Sequence, residues 1–155
     1  MIPEKVKTVL QQHGLEALEF EEGSTPTSET AAAKLEVQVG QIAKSILLKG
    51  KDGRYFLMLC AGDRRIDSKK VKILTGTNTR MARPEELKEQ TGFNPGEVCP
   101  FGVSGPEIFL DASLKRFDTI YPAAGTDSSG VPVTYDRLRE IIGADECDVC
   151  GPVIQ

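Results

Sequence analysis

The sequence predicts a single α+β domain, a mixed and curved or barrel-like β-sheet flanked by helices. Three observations lead there. Apolar runs of strand length recur at residues 43–49, 54–60 and 107–110. Segments with helix-starting and helix-stopping residues lie between them. The two kinds of element mix without the strict alternation of a doubly wound parallel sheet. At 155 residues, 39% hydrophobic and 27% charged, the chain suits one domain, 1–155, large enough to bury a core.

The elements follow in order. Pro3 fits a first helical turn, Val6, Val9 and Leu10 form an apolar stripe, and Gly14 stops it. Residues 15–20 read as a short strand and 21–26 as a loop. Thr27 or Ser28 caps a helix running through Ala31-Ala32-Ala33 to Leu35, and its small residues suit close packing on a sheet. Strands 43–49 and 54–60 form a hairpin about Gly50-Lys51-Asp52-Gly53. Asp67 caps a helix to Leu74, residues 79–82 make a brief strand, and Pro84 opens a helix that ends near Gly92. Residues 107–110 and 117–121 are strand candidates around a turn at 111–114. Residues 124–130 read as a flexible loop and 131–133 as a short strand, and Thr134 caps a last helix that Gly143 ends.

The bulk properties narrow the classes of function. The net charge of −4 argues against a general nucleic-acid binder. Positive charge is nonetheless concentrated in Arg64, Arg65, Lys69, Lys70 and Lys72, followed by Arg80 and Arg83. Such a run suits either a solvated helix face or a partner whose phosphates touch one side. No apolar stretch is long enough to cross a membrane, and Met1-Ile2-Pro3-Glu4-Lys5 lacks the layout of a signal peptide, so the expected location is cytoplasmic. Cys60 reads as a buried small hydrophobe. Cys147 and Cys150 form a C-x-x-C for which tail packing, a reversible disulfide and a metal site are the alternatives. The acidic neighbours Glu146 and Asp148 oppose thiolate formation, and no second ligand pair stands at zinc spacing.

Two stretches carry the chemistry. In Gly40-Gln41-Ile42-Ala43-Lys44-Ser45-Ile46 one lysine opens an apolar strand with no acidic neighbour. It either snorkels to water or supplies a fixed positive charge for a phosphate or carboxyl group. In Gly96-Glu97-Val98-Cys99-Pro100-Phe101-Gly102 glycines permit φ > 0, so several N–H groups can turn toward one point. Such a nest either holds a carbonyl oxygen as negative charge develops on it, or is a plain surface turn. The single histidine, His13, has no acidic or cysteine neighbour in sequence. Ser-His-Asp and Cys-His catalysis and a His-rich metal site are therefore disfavoured, and no P-loop or dinucleotide fingerprint is present. Catalysis without a strong protein nucleophile and without a cofactor is what remains.

With these stretches in view, the chain resembles the YbaK/EbsC family of free-standing aminoacyl-tRNA deacylases, relatives of the editing domain inserted in bacterial prolyl-tRNA synthetases. The motifs run in order along nearly the whole chain. They are the 27–35 helix with Gly40-Gln41-Ile42-Ala43-Lys44-Ser45; Ala61-Gly62-Asp63-Arg64-Arg65-Ile66-Asp67; Thr91-Gly92-Phe93 with the 96–102 loop; the 107–111 strand; and Ala123-Ala124-Gly125. The resemblance implies a mixed α/β fold around a curved sheet and hydrolysis of the ester joining a wrong, small amino acid to tRNA. It implies that Lys44 positions the acceptor end, and that Gly96 and Pro100 frame the loop whose backbone holds the substrate carbonyl. Water would attack with help from the terminal ribose hydroxyl, so that no histidine base is needed. Phe20, Thr27, Ser45, Cys99, Phe101, Gly102 and Gly125 are implied to line or shape the substrate pocket. The implied partners are the acceptor end of aminoacyl-tRNA and an aminoacyl-tRNA synthetase, with no membrane and no cofactor.

Four positions depart from the family pattern. Cys99 stands where serine or threonine is common. Ala123 and Gly130 stand where the cysteinyl-specific branch has polar side chains. Glu36 replaces a frequent glycine, a change expected to matter little. Two other readings stay open at this point. One is a module that binds an aminoacyl or nucleotide group without turnover; the other is a regulatory partner acting through the basic segment 64–72.

Overall fold

The computed structural model describes residues 1–154. The helices are α1 (Glu4–Gln12), α2 (Ser28–Leu35), α3 (Ser68–Thr75), α4 (Pro84–Thr91) and α5 (Tyr135–Ile142). The strands are β1 (Leu18–Glu19), β2 (Ala43–Gly50), β3 (Tyr55–Ala61), β4 (Arg64–Ile66), β5 (Thr79–Met81), β6 (Glu107–Asp111), β7 (Ser129–Gly130), β8 (Asp145–Cys147) and β9 (Cys150–Val153). Five strands form the main sheet in the order β5-β2-β3-β6-β8, and β1-β7 and β4-β9 make two small ribbons. The sheet is mixed: β2 runs antiparallel to β3 and β5, whereas β3-β6 and β6-β8 are parallel. It is an open sheet with β5 and β8 at its edges, so the expected mixed sheet stands and a closed barrel does not.

Strand alternation divides the core. Ala43, Leu47, Leu57, Leu59, Ala61 and Leu110 face a large cluster completed by Val6 and Leu10 of α1, Leu87 of α4, and Tyr135 and Leu138 of α5. Leu48, Phe56, Met58 and Cys60 face the other way, against Val71 of α3 and the tail residues Cys147, Val149 and Cys150. A third, small cluster joins Ala31 and Ala32 of α2 to Ile42 at the start of β2. Ala31 and Ala32 let α2 lie close to this end of the sheet, and that closeness creates the candidate site.

Local chemistry explains most boundaries. The hydroxyl of Thr27 accepts from the N–H of Thr30, while the Thr30 hydroxyl accepts from the N–H of Thr27, closing a capping box on α2. Asp67 and Thr134 cap α3 and α5 as expected, and Pro84 opens α4. Helix α2 ends on Glu36 at φ 58°, the left-handed conformation that glycine adopts without strain. Glu36→Gly is therefore expected to raise stability by about 0.5–1 kcal/mol, read as a higher urea midpoint.

Several short segments depart from expectation. The 15–20 strand is confined to Leu18–Glu19, paired with β7. Residues 117–121 and 131–133 form no strand; they contribute only the isolated bridges Ile42 to Tyr121 and Ile120 to Val133. Residues 124–130 are no solvated loop, since Thr126, Ser128 and Ser129 are buried and tied by hydroxyl bonds. Strand β4 and the C-terminal strands β8 and β9 were absent from the expected elements. Burial and hydroxyl-to-backbone bonds replace the solvation that polar composition suggested.

The C-x-x-C belongs to the second cluster, where Cys147 and Cys150 are both buried. Asp111, 1% exposed, accepts from the N–H groups of Val149 at 2.7 Å and Ser113 at 2.9 Å and so ties β6 to the tail. Burial acts to raise the Asp111 carboxyl, but the Ser113 and Val149 donors outweigh it and hold the group below its ordinary value. A depressed carboxylate stabilises the fold above its unfolded value of about 4, and that stability is lost as pH falls through the lower folded value. Asp111→Ala is expected to cost about 2–3 kcal/mol at pH 7. Asp111→Asn should flatten the loss of stability below about pH 4, checked by urea unfolding at pH 7 and pH 3.

Candidate functional site

A cavity of about 170 Å³ opens where α2, the first half of β2, the 96–98 segment and residues 121–129 meet. Its apolar wall is Ala31, Leu35, Ile42, Ala43, Val98, Tyr121 and Ala123. Its polar wall carries five hydroxyl side chains, Thr25, Thr27, Ser28, Ser45 and Ser129, together with Lys44. Among the described residues no histidine, cysteine or carboxylate lines it.

Most of those hydroxyls are committed to holding the wall. Thr25 accepts from the N–H of Ser129, Ser129 accepts from the N–H of Ala124, and the Thr126 hydroxyl donates to Ser129. Thr27 is occupied by its cap. Ser45 differs, because its Oγ is buried without a hydrogen-bond partner.

Lys44 is half-buried on the sheet face that carries Leu48, and its Nζ donates to the main-chain carbonyl of Arg64. Among the described residues no carboxylate lies within ion-pair distance of it. The carbonyl is a neutral partner, so the field of the ammonium is not cancelled. Arg64 is in turn held by its Nη1, which donates to the Gly151 carbonyl on β9 at 3.1 Å. The remainder of the basic segment is divided. Lys70 pairs with Asp148 and Arg80 with Glu86, whereas Arg65, Lys69 and Lys72 are exposed.

Of the residues expected at the site, Lys44, Ser45, Thr27 and Gly96 line the cavity. Gly96 has φ 84°, the left-handed conformation that its loop was expected to need. Pro100, Cys99 and Phe101 lie behind this wall, buried in the core. Burial pushes the Cys99 thiol up to about 12. Gly102 and Gly125 also lie outside the lining, Gly102 exposed and Gly125 buried. A Cβ on Gly102 would meet the Lys5 side chain at 3.1 Å, and one on Gly125 would meet Phe93 at 2.9 Å. Phe20 lies outside the lining, its N–H donating to the Ser128 carbonyl.

Lys5 was not anticipated. Its ammonium donates to the Thr91 carbonyl and sits 4.3 Å from the centre of the Phe93 ring, strapping α1 to the start of the loop that carries Gly96. Tyr121, Ser129 and Thr25 were also missed, since no periodicity or motif marks them. At two of the family departures, Ala123 leaves a methyl group in the wall, and Gly130 gives room to Leu35, which would lie 2.9 Å from an added Cβ.

Compared with known proteins, the chain matches the aminoacyl-tRNA editing domain over residues 22–141. It is 43% identical over 120 residues to YwhH, an uncharacterized protein of Bacillus subtilis, covering 77% of this chain and 76% of that one. It is 35% identical over 136 residues to the proline–tRNA ligase of Thermotoga maritima, covering 81% of this chain but only 23% of the ligase. The chain thus spans about a quarter of the length of that synthetase. A crystal structure described as that of a candidate trans-editing enzyme for prolyl-tRNA synthetase superposes with a TM-score of 0.87 at 31% identity, over 98% of this chain and all of the other.

Proposed function

Since the chain belongs to the aminoacyl-tRNA editing domain family, we propose that it is a trans-editing hydrolase that removes a small, wrongly attached amino acid from tRNA. The observation that carries this reading is the cavity itself. It is small and walled by hydroxyl and short apolar groups, with an uncancelled lysine charge at one side and a left-handed glycine at another.

Its chemistry is ester hydrolysis. Water adds to the acyl carbon, the bond from that carbon to the ribose oxygen breaks, and the ribose oxygen takes up a proton. The loop at Gly96 offers main-chain N–H groups to the carbonyl oxygen as its negative charge grows. The neighbouring ribose hydroxyl of the substrate assists the water, a role that fits a lining without histidine, cysteine or carboxylate. Lys44 holds a phosphate of the acceptor end. Pro100 and Phe101 keep the loop rigid from behind. The small cavity favours short side chains, although each methylene is worth only about 1–3 kcal/mol of discrimination. The relatives also make an aminoacyl-tRNA synthetase a fitting partner in the cytoplasm.

A deacylation panel tests the reading, using the purified chain against Ala-, Cys-, Ser-, Thr- and Pro-charged tRNAs. Selective loss of one ester, dependent on Lys44, is the expected result. If every ester disappears only at its spontaneous rate, the hydrolase reading fails. Saturable binding of an aminoacyl-adenosine analogue in that case would identify a binding module.

A further inference from the structure

The outer edge of β2 has a gap centred on Ser45. Even-numbered residues of β2 bond to β3: the register pairs Lys44 with Cys60 and Ile46 with Met58, and the flanking bonds Gly50 N–H to Arg54 and Gly62 N–H to Ile42 are each 2.8 Å. Odd-numbered residues therefore turn their N–H and C=O to the opposite edge. There the Ala43 N–H donates to the Tyr121 carbonyl at 3.2 Å, and the Leu47 carbonyl accepts from the Ala82 N–H at 2.9 Å. Strand β5 pairs with β2 only from Leu48 onward, because the chain leaves the sheet at Pro84 to begin α4. Ser45 stands between these two bonds, and its main-chain N–H and C=O have no partner among the described residues. Its hydroxyl is also buried and unpartnered.

This gap lies at the junction of two hollows. The hydroxyl-walled cavity is on one side, and an apolar groove of about 190 Å³, with Met81, Ala82, Pro84 and Leu87 in its wall, is on the other. Ser45, Gly96 and Val98 line both.

We propose that the open edge at Ser45 binds the substrate's aminoacyl group as the missing residue of the sheet. The inference rests on the hydrolase reading above for the identity of the ligand. In an antiparallel pair two opposed residues exchange both N–H···O bonds. An aminoacyl ester has the same N–Cα–C=O order as a residue, so its amino group donates to the Ser45 carbonyl and its ester carbonyl accepts from the Ser45 N–H. The direction set by β5 puts the amino end toward Ala82 and the ester and ribose toward Tyr121 and the hydroxyl-walled cavity. Opposed side chains share one face of a sheet, so an L-side chain falls beside Ser45, Gly96 and Val98. A D-side chain would point to the opposite face. The site thus recognises any short L-aminoacyl group through main-chain atoms, and the walls around Val98 limit its size.

The test uses the full chain, labelled with 15N, and three hydrolysis-resistant probes: the 3′-amido-3′-deoxyadenosines carrying L-alanyl, D-alanyl and propionyl groups. The propionyl probe lacks the amino group. Without ligand, the Ser45 amide is expected to exchange with solvent about a hundredfold faster than those of Lys44 and Ile46, which are bonded to β3. The L-alanyl probe should slow Ser45 exchange about tenfold or more, and the D-alanyl and propionyl probes should bind about tenfold more weakly. Equal protection of all three amides in the free protein, propionyl binding within about twofold of L-alanyl, or no binding of the L-alanyl probe would each overturn the proposal. L-alanyl binding that protects Ser45, without hydrolysis of any charged tRNA, would support this subsite and sink the hydrolase reading. Hydrolysis with no preference for the amino group would do the reverse.

Discussion

Lys44→Ala should lower deacylation about a hundredfold or more, on the scale of misplacing a bound substrate by about 1 Å from its reacting geometry. The protein should remain folded, because Lys44 is half-buried and makes one hydrogen bond, to the carbonyl of Arg64. Loss of that bond costs about 1 kcal/mol, or about 2–4 °C in Tm for a chain of this size. A large fall in activity beside a small fall in Tm separates a role toward substrate from a structural one. Lys44→Arg keeps the charge but exchanges a compact ammonium for a planar fork, so partial activity is expected from it. Charge reversal by Lys44→Glu should be as damaging as alanine or worse. Equal activity of wild type and Lys44→Ala on every charged tRNA would remove Lys44 from the mechanism.

The second large effect is structural and reaches the same site. A Cβ on Gly62 would lie 2.5 Å from the Val39 carbonyl oxygen and 2.8 Å from the Ser28 Cβ. Neither is the free end of a flexible side chain. Relief requires the start of α2 and the turn Val39–Gln41 to move away from the end of β3, where the Gly62 N–H donates to the Ile42 carbonyl. Gly62→Ala is therefore expected to cost about 3 kcal/mol, the upper end of ordinary overpacking, and Gly62→Val more. Because Ser28 and Ile42 line the cavity, activity should fall further than the unfolded fraction explains. The comparison is Gly76→Ala, where φ is +77° but no atom lies within 4 Å, so backbone conformation acts there without crowding. It should cost about 1 kcal/mol and leave the activity of the folded protein unchanged. Urea midpoints together with activity per folded molecule distinguish the two.

Legibility from sequence follows the range of the interactions. Helices α2, α4 and α5 and the β2-β3 hairpin depend on caps, turns and apolar runs contained within a dozen residues, and they lie where those signals put them. The 124–130 segment shows the limit. Thr126, Ser128 and Ser129 are polar residues beside a glycine, a composition that suggests solvent, yet their hydroxyls bond to one another and to nearby backbone, and the Ser129 N–H donates to the hydroxyl of Thr25, 104 residues away. Tails behave likewise. Strand β9 exists because β4, far away in sequence, offers it an edge.

The candidate site divides in the same way. Lys44 and Gly96 announce themselves, one by a charge in an apolar run and the other by a glycine in a proline-bearing loop. The membership in an editing family was likewise written in ordered local motifs. What the sequence alone determined is thus the set of elements, the family and the chemical groups available. Only the tertiary structure decided that Pro100, Cys99 and Phe101 stand behind the wall while Tyr121 and Ser129 form it. It also decided that β5 stops pairing before it reaches Ser45, whose main-chain groups find no partner among the described residues. The reason is physical. A side chain's type is a local property, whereas exposure, the absence of a partner and convergence on one cavity depend on how distant segments pack against each other.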